Sequence, residues 1–403
     1  MKFTNIKFDF NIPRISFGIG KIKDLGQELL NILKPIEIKI PNVFIVSGKE
    51  SLRKSGHLNA IKINLEKLNI NFEIYDKVNK EPTTSIVNNG RDIFINEKCN
   101  IIVGIGGGSA LDSAKAIAGL VTNGGTIEDY HAGKEFVKVP VPFILCPTTS
   151  GTGSEVSNNS VIMDEKKGIK QSVRGLLTNL ALLDPELTLF LPKNYTAYPG
   201  ADALVQAIES LVSKGSNFIS DLFAKESIKL LGENLPKVYD DLNNIELREK
   251  MMLGSLLDGI SFANGKLGAV HGFAHPIGVK YGISHGLICG LLLPYVMEYN
   301  SELDDVVEKY AWIADLFYKQ KILTDYGDCP KQLPSNKKGK AKWSIEKVKD
   351  IFSYVEIPLH LADVGISESD VDNIVKDTKG ASLANNPRET NEENLRKILL
   401  NAL

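Results

Sequence analysis

The stretch that most constrains this chain is IIVGIGGGS at 101–109, which passes almost at once into the helix-forming run LDSAKAIAGLV. A short apolar run rich in β-branched residues and closed by glycine is the mark of a strand buried on both faces, as inside a parallel sheet. Strand, glycine cluster and helix N-terminus, in that order, make a cradle for a diphosphate. The glycines let the backbone come close, and the free N–H groups and helix dipole favour an anion. The candidate residues are Gly106, Gly107, Gly108 and Ser109, with Asp112 in the first turn of the helix. The spacing is not GxGxxG and the cluster follows the third strand of the α/β pattern, so this is not the usual dinucleotide fingerprint.

The flanking segments agree with such a sheet. Residues 1–20 read as extended and end in a turn at Gly18-Ile19-Gly20, and 25–33 have a helical period. Strands are expected at 43–48 and 72–75, with helices at about 52–68 and at 85–96. The order β-α-β-α-β up to residue 105 calls for a doubly wound parallel sheet. A further strand at 142–145 leads into PTTSGTGSEVS at 147–157, where hydroxyls and glycines suit phosphate or ribose contacts; 161–164 and 181–184 look like additional strands. After Leu191-Pro192 helical periods dominate. The expected organisation is an α/β dinucleotide-binding domain at 1–192 and an all-helical metal and substrate domain at 193–403.

The second domain carries the other unusual feature. The chain has six histidines, and His271, His275 and His285 fall within fifteen residues. His271 and His275 share one helix face, and Gly278 and Gly282 would loosen the backbone so that His285 turns back toward them. Imidazole is the commonest ligand for first-row divalent metals. Asp202 and Gln206, one helical turn apart, point the same way.

Bulk properties exclude several partners. With 43% hydrophobic and 24% charged residues and a net charge of −2, nothing suggests nucleic acid or a membrane. The basic run at 337–342 reads as a solvated surface loop. Cys99, Cys146, Cys289 and Cys329 are widely spaced, with no CxxC, and read as reduced thiols of a cytoplasmic protein. The first residues, MKFTNIKFDFNIP, lack the apolar core of a signal peptide.

Taken together, these motifs resemble the iron-activated (group III) alcohol dehydrogenase family over nearly the whole chain. The resemblance lies in FGIG at 17–20, GIGGGSALDSAKAIA at 104–118, PTTSGTGSEVS at 147–157, DPEL at 184–187, DAL at 202–204, H-x3-H-x9-H at 271–285 and NPR at 386–388. It implies an α/β nucleotide-binding domain plus an all-α domain (the dehydroquinate synthase-like architecture), with the active site in the cleft between them. It also implies hydride transfer between NAD or NADP and a small alcohol or aldehyde, a divalent Fe²⁺ or Zn²⁺ as Lewis acid, and a homodimer or larger assembly. Carried over by position, Asp202, His271 and His285 are metal ligands, and His275 is a histidine near the substrate and the candidate proton relay. Gly106, Gly107, Gly108 and Ser109 would hold the pyrophosphate. Thr148, Thr149 and Thr152 would line the nicotinamide side, with Asn159 and Lys170 as further cofactor contacts.

The chain departs from the family in two places. Where most members have a ligating histidine, it has Gln206, a weaker donor for such metals. The metal is then kept by three ligands, as in glycerol dehydrogenases, or held weakly, or absent. The last case corresponds to a maleylacetate reductase-like enzyme for oxo or unsaturated acids, with Lys266 and Lys280 toward a carboxylate. A catalytically silent nucleotide-binding relative is the reading from another class. Gly48 stands where many NAD-preferring members have an aspartate, and Lys49, Arg53 and Lys54 follow. This favours NADP or dual use.

Overall fold

A computed structural model of the protein describes residues 8–38, 40–79, 81–322 and 332–403. The chain divides into two compact units. One is Ile12–Phe190; the other joins residues 8–11 to Leu191–Leu403. Within the second, the Phe10 ring stacks on Phe223 at 5.8 Å and the Asn11 N–H donates to Asn264 Oδ1 at 3.2 Å.

The first unit contains strands β1 (Arg14–Phe17), β2 (Asn42–Gly48), β3 (Asn71–Val78), β4 (Ile101–Gly106), β5 (Phe143–Pro147), β6 (Asn159–Asp164), β7 (Ile169–Arg174) and β8 (Leu180–Leu183). Its helices are α1 (Leu25–Leu33), α2 (Ser51–Lys54), α3 (His57–Lys67), α4 (Thr84–Asn96), α5 (Gly108–Asn123) and α6 (Ile127–His131). Six strands form one parallel sheet in the order β1-β8-β5-β4-β2-β3. Successive side chains on a strand point to opposite faces. Val43, Ile45, Ile101 and Val103 therefore pack with Leu25, Leu29, Ile61 and Leu65 of α1 and α3. Phe44, Val46 and Ile102 pack with Phe94, Ala114 and Ile117 of α4 and α5. Burial on both faces is why these strands read as unbroken apolar runs.

Two expectations change here. The helix expected at 52–68 is two helices, because Gly56 adopts φ +78 between α2 and α3. The segment at 161–164 is a strand outside the main sheet. As β6 it pairs antiparallel with β7, and β7 (IKQSVR) is too polar to announce itself by pattern.

The second unit is helical: α7 (Lys193–Val212), α8 (Phe218–Asp240), α9 (Ile245–Gly265), α10 (Ala269–Tyr281), α11 (His285–Asn300), α12 (Asp304–Lys319), α13 (Lys337–Tyr354), α14 (Glu368–Asp377), α15 (Ala381–Ala384) and α16 (Glu392–Asn401). Among the described residues it has no strand. From Gly200 to Val212, α7 is buried on every side, packed by α8, α9 and α11. A helix enclosed all round loses its polar face, so Asp202, Gln206 and Glu209 stand out within it. The basic run at 337–342 is not a loop but the start of α13. Asn336 Oδ1 accepts from Gly339 N at 2.7 Å, and Lys340 pairs with Asp315 at 2.6 Å. An N-cap and ion pairs to neighbouring acids let lysines open a helix.

Cys99, Cys146 and Cys289 are free and buried; Cys329 lies outside the described residues, as does most of the amino-terminal stretch read for a signal peptide. Among the described residues no helix is long and apolar enough to cross a membrane.

Candidate metal and dinucleotide sites

Three helices of the second unit bring four donor side chains together. Asp202 comes from α7 and His271 from the first turn of α10, while His285 opens α11 and Cys289 follows one turn later. Asp202 Oδ1 lies 3.5 Å from His271 Nε2 and 3.7 Å from His285 Nε2. Cys289 Sγ lies 3.9 Å and 3.7 Å from the same two nitrogens. All four donor atoms fall within 4.8 Å of one another.

Glycine makes this convergence possible. Gly282, at φ +68, ends α10 in a left-handed turn, so α11 starts at His285. Gly278 lies inside α10, so the turn rests on Gly282 and not on both glycines. Gly286 lets α11 lie flush on α7, since a Cβ there would collide with the Tyr198 carbonyl and sit 3.2 Å from Asp202 Cβ.

A second carboxylate aims the first histidine. Glu209, two turns beyond Asp202, accepts from Val270 N at 2.7 Å and Gly268 N at 3.0 Å. It thereby caps the positive end of α10. Its Oε2 also lies 2.7 Å from His271 Nδ1. With an Nδ1 proton directed there, Nε2 is the nitrogen that faces the cluster and would offer its lone pair once a metal displaces its proton, the usual arrangement behind a metal-ligating histidine.

The electrostatics of the cluster are those of a cation site. Burial alone would raise Asp202, yet His285 and His271 hold it below the usual carboxylate range. Burial alone would lower His271, yet Cys289, Asp202 and Glu209 hold it well above its ordinary value. Burial pushes the Cys289 thiol up to about 12. Asp202 Oδ1 is buried and accepts no hydrogen bond, and neither does the buried Gln206 Oε1. Orphaned buried oxygens are costly. Carboxylate, imidazole and thiol donors converging on one point would be satisfied together by a divalent cation, so the residues present fit one. His275 stands beside this group, its ring centroid 5.5 Å from that of His285.

In the first unit the glycine cluster forms a tight passage from β4 to α5. Gly106 has φ +154, and a Cβ there would meet Ala110 Cβ at 2.7 Å. Gly107 precedes α5 in an extended conformation, with no side chain capping the helix. A Cβ on Gly108 would sit 2.8 Å from Thr152 Cγ2, and Thr149 flanks Gly107. Thr148 N donates to Gly106 O at 2.9 Å. The structure thus brings Gly106, Gly107, Gly108, Thr148, Thr149 and Thr152 together, with Ser109 in the first turn of α5.

Two other expected contacts, Asp112 and Lys170, have their side chains engaged within the protein, and the backbone carbonyl of Asn159 is engaged too. Asp112 accepts from Ser154 Oγ at 2.5 Å and Val161 N at 2.8 Å. Lys170 pairs with Glu81 at 2.8 Å, and the Asn159 carbonyl accepts from Lys115 Nζ at 2.5 Å. Lys115 is fully buried, also donating to Ser154 O at 2.8 Å. Burial lowers its pKa, and Asp112 and Glu155 oppose this. Asp112 and Lys115 therefore pin the loop after β5 to α5. Near the end of β2, a Cβ on Gly48 would meet only Val78 O, at 3.8 Å. Arg53 is paired with Asp76 and Lys54 with Glu50, each at 2.5 Å.

Residues 13–185 match the description "Iron-containing alcohol dehydrogenase", and residues 196–403 match "Fe-containing alcohol dehydrogenase family, C-terminal". The chain belongs to the iron-containing alcohol dehydrogenase family. It is an oxidoreductase of CH–OH groups, an alcohol dehydrogenase. The NAD-dependent methanol dehydrogenase of Bacillus methanolicus is 32% identical, covering 98% of this chain and 100% of that one. Alcohol dehydrogenase 4 of Schizosaccharomyces pombe is 34% identical over 98% and 89%. The solved alcohol dehydrogenase from Oenococcus oeni superposes with a TM-score of 0.89 at 31% identity, covering 98% and 100%.

Within this alcohol dehydrogenase, sequence reasoning missed Glu209, Lys115 and Cys289. Glu209 carried a signal, since Asp202, Gln206 and Glu209 recur at helical spacing on an otherwise apolar helix. Cys289, four residues after His285, was equally legible by spacing but was read only for its redox state.

Proposed function

We propose that this alcohol dehydrogenase exchanges hydride between NAD and a small alcohol or its carbonyl partner, with a divalent metal held by Asp202, His271 and His285. One observation carries the reading: a buried Asp202 oxygen without a hydrogen bond faces two imidazoles and a thiol. A metal-free site would leave that oxygen only the imidazoles, at 3.5 Å and 3.7 Å. Fe²⁺ and Zn²⁺ both suit nitrogen and oxygen donors. The relatives' names support NAD. Gly48 supports NADP as a second cofactor, with Lys49 next to it in sequence, although Arg53 and Lys54 already have acidic partners.

When bound, the metal supplies Lewis acidity at the substrate oxygen and NAD supplies the hydride acceptor. The chain's own residues do the rest. Glu209 fixes the His271 tautomer. Gly106, Gly107 and Gly108 admit the diphosphate to the backbone at the start of α5, with Ser109, Thr148, Thr149 and Thr152 around it. Asp112 and Lys115 hold the threonine loop in place. His275, beside His285, carries the alcohol proton toward solvent.

Steady-state oxidation of short primary alcohols tests the proposal. Turnover with NAD should vanish on exhaustive chelation and return with Fe²⁺ or Zn²⁺. Undiminished turnover in fully chelated enzyme would contradict it. NADH compared with NADPH in the reverse direction reads the second-cofactor proposal; strict NADH dependence would sink it.

A further inference from the structure

We propose that Cys289 is the fourth protein ligand of this metal, giving an Asp202, His271, His285, Cys289 site in which Gln206 is not needed as a donor. The inference rests on the metal-site reading above. It goes beyond it in naming a ligand that replaces the missing imidazole by a sulfur from a different helix.

The distances support four protein donors around one point, with the substrate oxygen entering as a fifth ligand, an expansion that catalytic zinc can undergo. Zinc bond lengths of about 2.3 Å to sulfur and about 2.0 Å to nitrogen or oxygen give tetrahedral edges of roughly 3.5 Å for S–N and roughly 3.3 Å for N–O. The S–N edges are 3.7 Å and 3.9 Å, and the N–O edges are 3.5 Å and 3.7 Å. These four edges exceed the ideal by a few tenths of an ångström, in the same direction, and all four donor atoms lie within 4.8 Å of one another, so the donors would have to draw together to close on an ion.

The sequence also holds the sulfur in place. Cys289 follows His285 by one helical turn, so both project to the same side of α11. Gly290, the next residue, presses that helix onto its neighbours: a Cβ there would meet Ile357 Cδ1 at 2.9 Å and Ala201 Cβ at 3.5 Å. Cys289 is wholly buried. Its sulfur faces the Nε2 atoms of both His271 and His285, the same two nitrogens that face Asp202 Oδ1.

The charges balance. On coordination the thiol gives its proton to solvent, and thiolate and carboxylate together neutralise the dication. A soft thiolate among the donors ranks Zn²⁺ above harder cations. Where Gln206 would offer a neutral amide, the chain keeps an anionic ligand.

X-ray absorption of the zinc-loaded, full-length protein is the test, joined by the near-ultraviolet spectrum of the cobalt-substituted form. The expected result is one sulfur scatterer at about 2.3 Å from zinc and a thiolate-to-cobalt charge-transfer band. That band should be absent in Cys289→Ser and intact in Gln206→Ala. Zinc affinity should fall by about 100-fold or more in Cys289→Ala, beyond the loss typical of an outer partner. One metal per chain with no sulfur in its shell overturns the proposal and leaves the metal-site reading standing. No metal bound under any condition overturns both. The wild-type spectra decide the matter even if a variant fails to fold.

Discussion

Glu209 shows how one side chain can set the chemistry of another. It takes two backbone N–H bonds at the start of α10 and contacts His271 Nδ1, so its charge and position fix which imidazole nitrogen reaches the cluster. Glu209→Gln keeps the size and removes the charge. We expect the variant to fold but to bind metal about 10- to 100-fold more weakly, the range seen when a histidine ligand loses its carboxylate partner. Competition with a chelator of known affinity measures this; unchanged affinity would reduce Glu209 to a helix cap. At this scale the sequence was only partly legible. Asp202, His271 and His285 were singled out from spacing and resemblance, the histidines because they are rare in the chain, and the structure brings the three together. Glu209 and Cys289 were missed because acids and cysteines have many other uses, and only their approach to His271 in space gives them a role.

Among elements, the passage from β4 to α5 and the loop after β5 act as one piece. Gly108 and Thr152 touch so closely that any side chain at 108 must displace the threonine. Gly108→Ala should therefore raise the KM for NAD about tenfold, the equivalent of roughly 1.4 kcal/mol, while leaving metal content unchanged. Steady-state kinetics beside metal analysis would check both halves. The same loop carries Glu155, which burial pushes up to about 7 despite the nearby Lys115. The unfolded chain loses this proton near the ordinary glutamate value, so above it the folded state holds more protons than the unfolded. The stability contributed is complete below that value and is lost as pH rises through about 7. The amount at stake is at most about 3 kcal/mol. Glu155→Gln should flatten the pH dependence of Tm between about pH 5 and pH 8, gaining relative to the wild type at the alkaline end. An identical profile in both proteins would show that Glu155 does not titrate in this range. Elements buried on both faces, such as β2 and β4, were plain in the sequence. The β6–β7 hairpin and the break at Gly56 were not, since a polar strand and a single glycine carry almost no periodic signal.

At the scale of the whole molecule, each unit carries one half of the requirements. The unit Ile12–Phe190 is a parallel sheet whose glycine passage suits a dinucleotide, and the helical unit encloses a carboxylate, imidazoles and a thiol in a form that suits a dication. The family assignment explains why both occur in one chain. The central claim is that this buried cluster, with Gln206 one turn from Asp202 on α7, holds a metal. The most direct measurement is the metal content, by plasma mass spectrometry, of untagged protein purified without oxygen. The account predicts close to one Fe or Zn per chain, falling to background in Asp202→Asn. Protein that carries no metal, and takes up none on reconstitution with either ion, would contradict it.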